Sequence, residues 1–165
     1  MRFYKFKVDS GGTYGENTVY VGEKTAHPCV VSHLHFEFDI WPEEELLACY
    51  FHYIGTERLK QALEALQPAV TGVEFANVEI SGDENEFDRV WREGRPDSAL
   101  GKWYWFKIKG EAGRDDFGGL PTEDLVISER VLQVLEKFPL PYKRDFQPWG
   151  GEMEGAGVKR DVGGG

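Results

Sequence analysis

The sequence predicts an α+β domain: a mixed, mainly antiparallel sheet with a few helices packed on it. Three observations predict it. Residues 33–40 alternate with period two, setting Leu34, Phe36, Phe38 and Ile40 on one side and His33, His35, Glu37 and Asp39 on the other. Residues 101–109 crowd Trp103, Tyr104, Trp105, Phe106 and Ile108 behind a glycine, a composition suited to a pleated, half-buried surface. Residues 128–138 carry Val131, Leu132, Val134, Leu135 and Phe138 at the spacing of one helical face, with Ser128 placed to cap the first turn through its hydroxyl.

The helical stretch occurs twice. Aligning Thr56-Glu57-Arg58-Leu59 with Ser128-Glu129-Arg130-Val131 also brings Ala62-Leu63-Glu64 onto Val134-Leu135-Glu136. Each copy is followed by a linker and an aromatic-bearing extended segment, residues 73–80 after the first and 142–149 after the second. The chain therefore reads as one α+β domain over 1–149, built on two degenerate strand–helix–strand units at 48–80 and 101–149. Residues 150–165, rich in glycine and without a packing pattern, read as a flexible tail.

The remaining elements follow in order. Arg2 to Val8 alternates as an opening strand, residues 10–15 form a turn cluster, and 19–22 make a short strand before a loop over 23–28. Trp41-Pro42 closes the alternating segment, because proline removes a ladder donor. Residues 46–54 are apolar and aromatic, which suits a strand or the end of a short helix. The first repeat helix spans 56–66 and stops at Gln67-Pro68. Residues 81–91 suit a short helix turning Phe87, Val90 and Trp91 inward, residues 92–98 are a polar loop, and 110–119 are a charged, Gly-rich mobile loop.

Composition narrows the function classes. Five Trp and eleven Phe within a 14% aromatic share argue for an ordered core and against disorder. Nineteen Lys and Arg against 29 Asp and Glu leave a net charge of −10, which repels nucleic acid and anionic membranes and suits a basic protein partner. Acidity also serves plain solubility. No stretch approaches the ~18 continuous apolar residues of a membrane span, and the first residues carry charge with no apolar signal core. The expected setting is the cytoplasm, with Cys29 and Cys49 reduced thiols rather than a disulfide framework.

Candidate chemistry is sparse. His33, His35 and Glu37 have the ligand types for a metal, with Cys49 and His52 as further donors, although an exposed strand face bearing such residues is the commoner arrangement. Ser128 lacks a nucleophile-elbow context and reads as a helix cap. Cys29 beside His27 and Cys49 beside His52 are neighbours in sequence, which does not establish a thiolate–imidazole pair. The loop 110–119 matches no phosphate-binding motif and carries acids that would oppose a phosphate. Its Asp115 and Asp116 read as surface acids facing a basic partner. Trp103 and Trp105 read as outward aromatic anchors if Tyr104, Phe106 and Ile108 pack inward, or the reverse; the alternative is a central strand with both faces buried. Neither a cofactor nor a catalytic residue is expected.

The pattern Asp124-Leu-Val-Ile-Ser-Glu-Arg-Val-Leu-Gln-Val-Leu-Glu136, preceded by the aromatic run Trp105–Ile108, resembles the C-terminal part of a bacterial family. Its members are small acidic immunity proteins encoded beside polymorphic toxins. Thr56 to Glu64, followed by Gly72-Val-Glu-Phe75, is similar to the same element. The likeness spans residues 48–149 and is best in the repeated element; the N-terminal third lies outside it, and that family offers no catalytic motif to carry over. The resemblance implies a non-enzymatic protein that neutralises a cognate toxin by direct binding. The alternatives are a metal-binding protein or metal-dependent enzyme using His33, His35 and Glu37, and a regulatory protein-interaction module.

Overall fold

The computed structural model describes residues 1–26, 29–82, 100–138 and 144–150. The helix expected within 81–91, the loop 92–98 and all but the first residue of the expected tail lie outside these residues, apart from Ser81 and Gly82. Where the sequence reads as one domain over 1–149, the chain clusters into two compact units. The first comprises Met1–Lys7, Ala65–Val73 and Ile108–Gly165; the second comprises Val8–Glu64 and Glu74–Lys107. The boundaries at 48–80 and 101–149 are therefore not those of the units.

The first unit is a four-stranded sheet with one described helix. Strands β11 (Phe117–Gly119) and β12 (Asp124–Ser128) form an antiparallel hairpin, and β1 (Phe3–Lys7) pairs antiparallel with β12. The short β13 (Gln147–Pro148) completes the order β11-β12-β1-β13. Helix α2 (Glu129–Leu135) starts where β12 ends, and Ser128 caps it by accepting from the Val131 N–H. Phe6, Phe117, Leu125, Val126, Ile127, Val131, Val134 and Leu135 are buried. The helix is two turns rather than the three expected, so Phe138 falls beyond its end and is half-buried.

The second unit repeats this design and adds to it. Strands β6 (Leu46–Cys49) and β7 (His52–Thr56) form a hairpin, which settles the 46–54 ambiguity in favour of strands. Helix α1 (Glu57–Glu64) follows β7 directly and buries Leu59 and Leu63. Strands β10 (Trp103–Ile108) and β8 (Val73–Asn77) complete the order β6-β7-β10-β8. The helix start meets the sheet identically in both units. Thr56 pairs with Trp103 and Ser128 with Phe3; the Glu57 N–H donates to the Lys102 carbonyl at 3.0 Å and the Glu129 N–H to the Arg2 carbonyl at 2.9 Å. The repeat anticipated from Thr56-Glu57-Arg58 and Ser128-Glu129-Arg130 is thus a hairpin, a helix and a fourth strand, flanking a third strand drawn from elsewhere in the chain. In the second unit that strand lies downstream of the helix, in the first at the N-terminus.

The additions in the second unit are two small sheets. Strand β5 (His35–Phe38) pairs antiparallel with β2 (Gly12–Tyr14) and parallel with β9 (Glu79–Gly82), so the turn cluster expected at 10–15 contains a strand. Strand β3 (Val19–Val21) and strand β4 (Val30–His33) form a separate antiparallel ribbon. The single strand expected over 33–40 is therefore two strands in different sheets, broken at Leu34. Phe36 and Phe38 enter a core with Leu34, Val31, Leu47, Ile54, Trp103 and Trp105, whereas Ile40 lies past the end of β5 and is exposed. Gly55 of β7 is required by close approach, since an added Cβ would stand 2.4 Å from the Phe106 ring. No described helix is long and apolar enough to cross a membrane.

Candidate functional site

Each helix start holds a polar cluster, and the two clusters have the same parts. In the first unit Asp116 directly precedes β11, twelve residues before Ser128. The Ser128 hydroxyl donates to Asp116 Oδ1 at 2.7 Å while accepting from the Val131 N–H. Arg130 grips the same carboxylate with Nε at 2.9 Å from Oδ1 and Nη2 at 2.6 Å from Oδ2, the forked geometry in which guanidinium and carboxylate match best. The Thr71 N–H adds a fourth donor to Asp116 at 2.9 Å, and Arg130 also donates to the carbonyls of Pro68 and Ala69. Burial by itself would raise the Asp116 carboxyl; the hydrogen bonds from Arg130, Ser128 and Thr71 outweigh it and bring it down to about 2.

In the second unit Glu45 directly precedes β6, eleven residues before Thr56. The Thr56 hydroxyl donates to Glu45 Oε1 at 2.5 Å and accepts from the Leu59 N–H. Arg58 forks onto both Glu45 oxygens at 2.8 and 2.6 Å. The backbone repeats as well: the N–H of Thr56 donates to the Glu45 carbonyl and that of Ser128 to the Asp116 carbonyl, both at 3.0 Å. Ser128 and Thr56 are therefore occupied as caps and as donors to carboxylates that an arginine clamps. Asp116 is 3% exposed, which corrects its reading as a surface acid, and the 110–119 segment is not a free loop, because it supplies both this carboxylate and β11. Asp115 is half-buried and accepts from the Glu111 N–H at 2.7 Å, holding the turn before β11.

Glu45 was not singled out from the sequence, and Asp116 was read there only as a surface acid, not as the partner of Ser128 and Arg130. Their signal was an acidic run, Glu43-Glu44-Glu45 and Asp115-Asp116, immediately before an apolar strand and at near-equal distance from the two Ser/Thr-Glu-Arg motifs.

A second polar cluster lies in the second unit. Tyr14 Oη stands 2.7 Å from His52 Nδ1 and accepts from the Cys29 thiol at 3.3 Å. Tyr14 packs its ring on those of Tyr20, Tyr50 and His52. Burial pushes the Tyr14 hydroxyl up, raises the Cys49 thiol to about 12 and lowers His52 to about 4. At neutral pH Tyr14, Cys49 and His52 are thus uncharged, with neither a thiolate nucleophile nor an imidazolium among them. Tyr50, at the tip of the β6–β7 hairpin, has φ of 56°, a left-handed conformation unusual for a non-glycine residue.

The histidine face expected for a metal is not assembled. His33 Nε2 lies 2.8 Å from Glu79 Oε1, and Asn17 Nδ2 donates to the other oxygen at 2.8 Å. His35 is buried. The Asn17 N–H donates to its Nδ1 at 3.1 Å, so Nε2 carries the proton and faces Ser81 Oγ at 2.8 Å. Glu37 pairs through its backbone with Thr13 in a different sheet from His33. Among the described residues no group of three His, Cys, Asp or Glu stands where it could share an ion.

Trp103 and Trp105 are both buried, which corrects their reading as outward anchors. Trp103 Nε1 donates to the Leu100 carbonyl at 2.9 Å, and Trp105 lies against His52 with Lys107 over its ring. Trp103 and Trp105 face the core cluster that holds Leu34, Phe36 and Phe38, while Phe106 on the opposite face of β10 is buried as well. The large apolar side chains that do reach solvent include Val19, Val21 and Val30, all on the β3–β4 ribbon.

Family models, curated proteins and solved structures were all compared with the chain, and none matches it.

Proposed function

We propose that this chain is a non-enzymatic binding protein that neutralises a basic partner, a toxin, by direct contact. One observation carries the reading: among the described residues, the serine, threonine, arginine and histidine groups at these clusters are engaged within the fold. Ser128 and Thr56 each cap a helix and donate to a buried carboxylate, Arg130 and Arg58 clamp those carboxylates, and His52 is uncharged and hydrogen-bonded to Tyr14. Such a molecule offers its partner shape and charge. The net charge of −10 suits a basic surface, where complementary fields speed encounter and reject wrong partners. The likeness of residues 48–149 to immunity proteins supplies the kind of partner.

The test is a pull-down of the full chain against the product of the gene beside its own, followed by co-expression to measure rescue from that product's toxicity. Binding with rescue is the expected result; absence of both overturns the proposal.

A further inference from the structure

We propose that the outward face of the β3–β4 ribbon is the docking surface for an extended basic segment of a partner protein. The inference rests on the binding role proposed above and adds the place and the chemistry of recognition.

Val19, Val21 and Val30 are 50%, 53% and 57% exposed. Val21 lies directly opposite Val30; the ladder slips between Val19 and Tyr20, and Val19, now opposite His33, is exposed beside them on β3. The opposite face is committed to the core: Val31 is buried, and its ladder partner Tyr20 packs against the same cluster. β-Branched residues of adjacent strands left in water form an apolar stripe of the kind that marks an interaction surface. Among the described residues β3 pairs with β4 alone, so its other edge offers unpaired backbone groups to an added strand.

Charge selects the occupant. Glu16 lies before β3 and Glu23 after it, both exposed, and the Glu79 carboxylate stands beside His33, the residue opposite Val19. Lys24 lies over the Tyr20 ring, 5.1 Å from its centroid, rather than along the valines. An acid-flanked apolar stripe fits a segment alternating apolar side chains with Lys or Arg, apolar positions on the valines and cations toward the glutamates. A second copy of a chain with net charge −10 would bring like charges together, which disfavours self-association through this face.

The test uses the full chain, Val21→Glu and Val30→Glu variants checked for native circular dichroism, and a synthetic peptide of alternating lysine and valine, with a glutamate–valine peptide as control. Expected are backbone amide shifts confined to residues 16–23 and 30–33 with the lysine peptide, binding that weakens with salt, and about tenfold or greater loss in each variant. Shifts elsewhere, equal binding of the two peptides, or no binding overturn the proposal. So does a dimer in sedimentation that the variants abolish, since the occupant is then a second copy.

The neighbouring gene product separates this inference from the one it rests on. If it binds wild type and both variants alike, the ribbon is overturned and the binding role stands. If the lysine peptide docks on the ribbon while that product neither binds nor is neutralised, the ribbon stands and the toxin reading falls.

Discussion

The two Ser/Thr–Arg–carboxylate clusters have the same parts and different surroundings. Around Asp116, Arg130 is 24% exposed and reaches the carbonyls of Pro68 and Ala69, while Thr71 donates to the carboxylate from the same linker. Around Glu45, Arg58 is 71% exposed although its fork on the carboxylate is equally close. The lesson is that forked geometry does not measure strength. Water screens the Arg58 pair and leaves it a modest contribution, whereas the Asp116 cluster sits in a low-dielectric site where every partner must be present. The first unit uses its cluster to hold residues 65–73 in place.

The largest break in that symmetry is expected from Asp116→Ala, which leaves Arg130 and Ser128 without their acceptor. It should cost about 3–5 kcal/mol, against about 1 kcal/mol for Glu45→Ala, in urea unfolding at pH 7. Equal losses would sink the distinction between the clusters.

Acid should reveal the same site more gradually. Asp116 is held near 2 in the folded chain, below its unfolded value, so the unfolded chain takes up the proton first. The stability this supplies is complete above the unfolded value and is lost as pH falls from about 4 toward 2, roughly 2 kcal/mol in all. His52 acts in a higher window. Its folded value near 4 lies below the ordinary 6.5, so stability declines as pH drops between them. Urea midpoints measured against pH should show both declines, and His52→Phe should remove the upper one alone.

Gly72→Ala tests the linker that the Asp116 cluster holds. Gly72 has φ of +86°, and an added Cβ would come within 2.2 Å of the Phe117 carbonyl oxygen. A loss of about 2 kcal/mol is expected, read from the thermal midpoint. The caps come last. Thr56→Ala and Ser128→Ala should each cost about 1 kcal/mol, with Ser128 the more costly because it is fully buried whereas Thr56 is half-buried, so water cannot replace the lost hydroxyl on Asp116. Thermal midpoints of the two variants give the comparison, and a larger loss at Thr56 would reverse it.

Much of the scaffold was readable in residues alone, because local patterns report local geometry. Ser128 and Thr56 before apolar helical spacing give caps and buried faces wherever such segments fold, and the opening alternation over Arg2–Val8 became β1. The 33–40 segment shows the limit. Its period-two pattern places Phe36 and Phe38 inward, yet the chain breaks at Leu34 and changes sheets, so the polar face does not persist and His35 is buried against Asn17 and Ser81. Periodicity carries no record of which strand lies alongside.

Trp103 and Trp105 failed as surface anchors for a related reason. An alternating strand declares two faces, and only the elements packed over them, such as the segment carrying Leu34, Phe36 and Phe38, decide whether both are covered. Asp116 misled because a carboxylate in a Gly-rich, charged stretch has the composition of a surface loop, while its partners lie elsewhere in the chain at Thr71, Ser128 and Arg130.

The sequence by itself determined the α+β class, the duplicated helix start and the acidic charge, since propensity, capping and net charge are properties of short segments or of composition. Only the tertiary structure decided that Glu45 and Asp116 complete the two motifs, that the N-terminal strand fills in the first unit the place β10 fills in the second, and that three valines of the β3–β4 ribbon face water. Each of those depends on strand pairing or packing between separate elements, and burial and pairing exist only once the fold has brought them together.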